Sequence, residues 1–290
     1  EAGLPKGVLN IVHGLGTSAG QAIVEHPHIK AISFTGGTET GKIIAKTAAP
    51  LFKKLSLELG GKNPNIIFSD CDYEKMLTTT VKSSFSNQGQ ICLCGSRIFV
   101  EASLFEQFKI DFIERVSQLI VGPPSNESTQ VGALVSKSHY EKVLSFIDGV
   151  DSSESKLLYG GKRVQLKGYE NGYYLTPTII QVNSNSCHLN QDEIFGPIVT
   201  IMPFNSEAEV LEMANDVKYG LSASVWTNNL KRCLFFSEQL ECGIVWVNTW
   251  MQRDLRTPFG GVKSSGVGRE GGFEALRFFT ETKNICINYE

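Results

Sequence analysis

The amino-acid sequence predicts an α/β fold that opens on a parallel sheet. Short apolar runs alternate with helical periodicities over the first ninety residues, and glycine pairs stand directly after the runs. That alternation is the mark of strand–helix–strand units. Composition agrees: hydrophobic residues are 41% of the 290 and charged residues 20%, which is the balance of a folded globular chain and excludes a disordered scaffold.

Val8–Val12 reads as a buried strand ending at Gly14, and a helix is expected over Ala19–Glu25. Ala31–Phe34 is the next strand. It breaks at Gly36-Gly37, where Thr38 is expected to cap a helix running to about Ala48. Leu55–Leu59 and Asn65–Phe68 are two further strands, separated by Gly60-Gly61. Helices follow at Asp72–Ser86, Ala102–Ile120 and Ser136–Ile147. In the second of these Phe105, Phe108, Phe112 and Val116 recur at helical spacing, and core packing is their expected role. Ser206-x-x-Glu209 has the form of a capping box, so another helix starts there. Gly243–Asn248 reads as a strand. The segment Thr249–Gly272 is rich in Gly and Arg and lacks periodicity, as functional loops often do. The tail Thr282–Tyr289 alternates apolar and polar residues and is expected to pair with a sheet edge.

Charge and cysteines bound the function. Lys and Arg number 27 against 30 Asp and Glu, a net −3, so no nucleic-acid partner is expected. No run is apolar and long enough for a membrane span: Gly172–Gln191 is interrupted by Pro177 and polar residues. Seven scattered cysteines in a chain of this length point to a reducing compartment, the cytoplasm, rather than to a disulfide framework. The chain begins at Glu1, so any targeting region lies out of view.

Asn87-Gln88-Gly89-Gln90-Ile91-Cys92 is the sharpest local feature. A polar, glycine-containing break places the Cys92 thiol on irregular backbone, where it is either an accessible nucleophile or a structural cysteine. Cys92-x-Cys94 has poor ligand spacing and the five histidines do not cluster, so no metal is expected. Glu58, at a strand end before Gly60-Gly61, is either a carboxylate whose pKa burial raises or a surface glutamate on an edge strand. Gly14-x-Gly16-x-x-x-Gly20 departs from the dinucleotide fingerprint. The Phe34-Thr35-Gly36-Gly37-Thr38 turn suits a pyrophosphate better, with backbone N–H groups and a helix N-terminus facing one site.

Together these segments resemble the aldehyde dehydrogenase superfamily, in order and over essentially the whole chain. Glu58-Leu59-Gly60-Gly61-Lys62 resembles the catalytic-glutamate signature and Gln88–Cys92 the catalytic-cysteine signature. Glu193-Ile194-Phe195-Gly196-Pro197 resembles the segment whose Glu holds a cofactor ribose and whose Phe contacts the nicotinamide. Pro258-Phe259-Gly260-Gly261 through Arg269-Glu270 resembles the C-terminal signature. The resemblance implies a partial Rossmann-like cofactor domain (1–60), an α/β catalytic domain (61–265), a return segment (266–279) and an oligomerisation strand (280–290). An N-terminal part, with the oxyanion Asn and the residues on the adenosine ribose, is expected to lie outside this chain.

The activity implied is NAD-dependent oxidation of a small-molecule aldehyde, with NADP an open alternative, by a homodimer or homotetramer. Cys92 would attack the carbonyl and Glu58 would activate water against the resulting thioester. Gly36, Gly37, Thr38, Leu59, Glu193 and Phe195 would hold the cofactor. The segment Trp250–Gly261 looks most like the 2-aminomuconic and 2-hydroxymuconic semialdehyde dehydrogenases. Arg253, with Arg256 and Asn248, would then contact a substrate bearing a carboxylate. Two alternatives stand beside this: a Cys/Glu thioester hydrolase, and a truncated chain acting only in assembly.

Overall fold

A computed structural model describes residues 2–148, 150 and 154–290. The chain enters through a π-helical turn, Gly16–Gly20, into α1 (Gln21–Glu25). Then follow β1 (Ala31–Thr35), α2 (Thr38–Ala48), β2 (Lys54–Glu58), β3 (Pro64–Ile67), α3 (Tyr73–Phe85), β4 (Arg97–Glu101), α4 (Ala102–Ser117) and α5 (Lys137–Ser145). The next stretch contains β5 (Ser155–Tyr159), the hairpin β6 (Arg163–Val164) and β7 (Tyr174–Leu175), β8 (Thr178–Val182), α6 (His188–Gln191), β9 (Ile198–Phe204) and α7 (Glu207–Asn215). The last part has β10 (Tyr219–Gly220), β11 (Ser222–Trp226), α8 (Leu230–Gln239), β12 (Ile244–Val247), β13 (Val262–Lys263), β14 (Gly266–Val267) and α9 (Gly272–Phe279).

Two sheets matter for the site. The larger has seven strands in the order β12-β11-β3-β4-β9-β8-β5, parallel except for β5. Its strands read as continuous apolar runs because both faces are covered. Ile67, Ile98, Val100 and Trp226 pack on one side against Phe105, Phe108, Phe112 and Val116 of α4. Their chain neighbours Ile66, Phe99 and Val225 pack on the other side with Val210 of α7 and Phe236 of α8. The two-residue period of a strand sends alternate side chains into the two cores.

The smaller sheet runs β1-β2-β14, with β1 and β2 parallel and β14 antiparallel to β2. The chain leaves it after Glu58 and crosses to β3 through residues 59–63. The apolar runs before and after Gly60-Gly61 therefore belong to different sheets, which local pattern does not reveal.

Three expectations are not met within this chain. Val8–Val12 forms no strand, and Val8, Leu9, Ile11 and Val12 lie exposed. The tail Thr282–Tyr289 forms no strand either, and Ile285, Ile287 and Tyr289 are exposed. In both cases an apolar run is not a strand until another backbone takes its hydrogen bonds, and none among the described residues of this chain does so. Thr38 is not the cap of α2: Gly37 holds that position, without a side-chain hydrogen bond, and Thr38 opens the first turn. At α7 the capping box is offset by one residue. Ser206 Oγ accepts from Glu209 N at 3.2 Å, but the Glu209 carboxylate accepts from Asn205 N.

Candidate active site

Glu58 ends β2, the middle strand of the small sheet, opposite Gly266 of β14. Its side chain is 3% exposed, and neither carboxylate oxygen has a hydrogen-bond partner among the described residues. Gly260 makes the space for it: a Cβ there would stand 2.7 Å from Glu58 Oε1. Burial raises the Glu58 pKa to about 7; the Glu270 carboxylate adds to the rise, while Arg269 and Arg253 oppose it. Glu270 is held close by a bridge to Phe259, with N···O distances of 2.8 and 2.7 Å. Of the two readings open for Glu58, the edge-strand surface glutamate is excluded.

The Cys92 turn is irregular, as expected. Asn87, Gln88 and Gly89 have φ of 50°, 47° and 71°, a run of left-handed backbone that costs about 1–2 kcal/mol at each non-glycine residue. Gly89 is obligatory because a Cβ would stand 2.1 Å from the Gly196 carbonyl oxygen, which locks this turn against the Phe195-Gly196-Pro197 segment. Asn63, 3% exposed, holds the turn from below: its Nδ2 donates to the carbonyls of Cys92 and Cys94 at 2.7 and 2.8 Å. The thiol is half-buried, and burial with the Glu193 and Glu58 carboxylates pushes its pKa up to about 11. At neutral pH it rests protonated.

A cleft of about 470 Å³ brings six of the predicted residues together: its walls include Cys92, Glu193, Phe195, Leu59, Gly36 and Gly37, whereas Glu58, Asn248, Arg253 and Arg256 do not line it. Glu193 Oε1 accepts from Gly61 N at 2.9 Å, and burial raises the Glu193 pKa. Phe195 stands at φ 58°. The cleft has the features a dinucleotide needs. Gly37 opens on empty space at the N-terminus of α2, where no side chain caps the first N–H groups. Gln90, also in its wall, carries a buried Oε1 with no partner. Thr38 is outside the wall, with its Oγ1 3.4 Å from the Ser264 carbonyl oxygen.

The substrate side is mixed. The Arg253 guanidinium lies over the Phe259 ring at 4.1 Å and acts electrostatically on both Glu58 and Cys92. Arg256 points elsewhere, and its guanidinium is paired with Asp254, holding that carboxyl below its usual range. Asn248 is committed to the fold. Its Nδ2 donates to Thr227 O at 2.8 Å and its Oδ1 accepts from Thr227 N at 3.0 Å, which fixes the orientation of the amide against Thr227.

Two residues of α5 escaped the sequence reading. His139 and Lys142 line the cleft; His139 Nε2 is 2.7 Å from Phe195 O, and Lys142 Nζ is 3.5 Å from Glu193 O. Their i, i+3 spacing on one helix face was the available signal, but it takes tertiary packing to show which face meets the cleft.

This arrangement, a buried carboxylate and a half-buried thiol beside a cleft lined by segments that adjoin both sheets, defines a class with its own sequence profile. The profile of the aldehyde dehydrogenase family matches residues 1–285, and the chain belongs to that family. It is 48% identical over its whole length to 2-aminomuconic semialdehyde dehydrogenase of Danio rerio. It is 44% identical over 99% of its length to 2-hydroxymuconic semialdehyde dehydrogenase of a Pseudomonas species. The chain spans 60% and 59% of those proteins, respectively. A crystal structure of betaine aldehyde dehydrogenase from Staphylococcus aureus in complex with NAD+ superposes with a TM-score of 0.91 and 37% identity, covering 94% of this chain and 55% of that one.

Proposed function

We propose that this chain carries the catalytic centre of an NAD-dependent dehydrogenase that oxidises a carboxylate-bearing semialdehyde of the aminomuconic or hydroxymuconic type. The observation that carries the reading is Glu58: a buried, unpartnered carboxylate with a pKa of about 7, electrostatically linked to the Cys92 thiol. Such a group takes protons near neutral pH without a metal.

The Cys92 thiol gives up its proton to solvent and its sulfur attacks the aldehyde carbonyl, forming a thiohemiacetal whose oxygen carries the charge. The Cys92 backbone N–H is the donor this chain offers to the oxyanion. A bound nicotinamide dinucleotide supplies the hydride acceptor. Glu193 and Phe195 would hold its nicotinamide end, with Leu59 beside them, and Gly36 and Gly37 would receive its pyrophosphate. Loss of a hydride from the thiohemiacetal carbon to that acceptor would leave a thioester on Cys92. Glu58 then takes a proton from water, which attacks the thioester, and the acid is released as the sulfur leaves as the Cys92 thiolate. Arg253 grips the distal carboxylate of the substrate with parallel hydrogen bonds. The dinucleotide cleft beside the thiol favours this reading over a simple thioester hydrolase.

The proposal extends to a reducing compartment, the cytoplasm, supported by seven free thiols. Among the described residues no helix is long and apolar enough to cross a membrane. It also extends to a homodimer or homotetramer, supported by the exposed Ile285, Ile287 and Tyr289 of the tail.

The test is NADH formation from a muconic-type semialdehyde by the full-length protein. Cys92→Ala should abolish it, and Glu58→Gln should leave one burst of NADH without steady turnover. Normal turnover by Cys92→Ala would overturn the assignment.

A further inference from the structure

Three successive carbonyls of the nucleophile turn are each taken by a buried side-chain N–H. Asn63 Nδ2 binds those of Cys92 and Cys94, and Trp250 Nε1 donates to that of Leu93, between them, at 2.9 Å. Both donors are rigidly seated. Asn63 Oδ1 accepts from Ser222 N at 3.1 Å, and Trp250, 9% exposed, packs in one cluster with Leu93, Leu221 and Trp246. Trp246 does the same on the far side of the loop. Its Nε1 donates to Gln252 O at 3.0 Å, the peptide bond that leads into Arg253. The Arg253 head group is in turn stacked on Phe259, which borders the same cluster.

We propose that Asn63, Trp250 and Trp246 are positioning residues that form a brace between the Cys92 turn and the Arg253 loop, fixing the reach from thiol to guanidinium and thereby selecting carbonyl compounds whose carboxylate lies at that reach. The proposal rests on Cys92 as nucleophile and Arg253 as carboxylate contact. The physical reason is that neither segment has a sheet ladder to hold it. A peptide plane whose oxygen is bonded to a buried, rigid donor cannot rotate freely, and an indole packed in a buried cluster transmits that constraint. Arginine on a free loop would attract any anion; arginine held at a fixed reach selects by shape.

The test needs no cofactor. Iodoacetate and iodoacetamide both alkylate the Cys92 thiolate, forming an S–C bond as iodide leaves, but only iodoacetate carries a carboxylate. The ratio of their rates at Cys92, followed by peptide mass analysis, reports how strongly Arg253 draws an anion to the thiol, which depends on where the loop holds its guanidinium, and iodoacetamide corrects for general changes in thiol exposure. Trp250→Phe and Trp246→Phe keep a ring and remove one N–H each. Each should lower the iodoacetate-to-iodoacetamide ratio about 2- to 10-fold, the value of one hydrogen bond. Arg253→Ala should lower it at least as far.

If Arg253→Ala lowers the ratio and both tryptophan variants leave it unchanged, the brace is overturned while the carboxylate contact stands. If Arg253→Ala leaves the ratio unchanged, the carboxylate contact falls and the brace with it. Equal acceleration of both reagents in both tryptophan variants would mean a purely structural role and would also overturn the proposal.

Discussion

The Gly61 amide donates to Glu193 Oε1 across 2.9 Å, joining the crossing segment between the two sheets to the segment before β9. Gly60, next to it, stands so close that a Cβ would lie 2.4 Å from Glu193 Oε2. The Glu193 carboxylate is thus aimed by one glycine's N–H and by another's missing side chain. Gly60→Ala should push Glu193 out of the cleft and raise the Kd for NAD+, measured by calorimetry on the full-length protein, by roughly 10-fold or more. An unchanged Kd would remove Glu193 from the cofactor site.

Glu58 predicts the pH dependence of turnover. With its pKa near 7, the carboxylate form grows as pH rises, so thioester hydrolysis should accelerate through about pH 7 and level off above it. The Glu270 charge raises that pKa, so Glu270→Gln should move the inflection to lower pH. A movement upward would mean that Glu270 acts on Glu58 by some other route. Single-turnover measurements of acid release across pH would decide.

The same group has a stability signature of opposite sign. Its folded pKa, about 7, lies above the ordinary value of 4.5. The protonated side chain therefore stabilises the fold fully below about pH 4.5, and that contribution is lost as pH rises to about 7. Glu58→Gln should flatten this part of the stability curve in urea titrations. An unaltered slope would show that burial does not perturb the carboxyl.

Arg253 and Arg256 are predicted to separate. Arg253→Ala should reduce kcat/KM for a muconic-type semialdehyde about 10- to 150-fold, with little effect on an uncharged aliphatic aldehyde. Arg256→Ala, which removes only the exposed partner of Asp254, should leave both values near wild type. Equal losses on both substrates for Arg253→Ala would return it to a structural role.

Asn248 should behave as a structural residue. Its two bonds to Thr227 and its left-handed φ of 54° favour asparagine. Asn248→Ala should destabilise the fold by about 1–3 kcal/mol, with a lower Tm and an unchanged KM. A raised KM at unchanged Tm would restore it to the substrate site.

The elements from Ala31 to Phe85, the helices α4, α5 and α7, and β12 were legible in the sequence, because each carries its own period or its own glycine or capping stop; β4, the strands β5 to β9, β11 and α8 were not read from it. The chemistry-bearing types at Glu58 and Cys92 were legible too, because a carboxylate and a thiol beside glycine turns stand out locally, whereas Glu193 came only through the resemblance of its segment to a family signature. Only the tertiary structure decided which strands share a sheet, and it divided β2 from β3. It also decided that Glu58 is buried with no hydrogen-bond partner among the described residues, that the Asn248 amide is bonded to Thr227 while Arg253 acts electrostatically on Glu58 and Cys92, and that His139 and Lys142 join the cleft. Val8–Val12 and Thr282–Tyr289 show why. Periodicity records which side of a segment can be buried, but a strand, a raised pKa or a binding contact exists only when a partner distant in sequence arrives to make it.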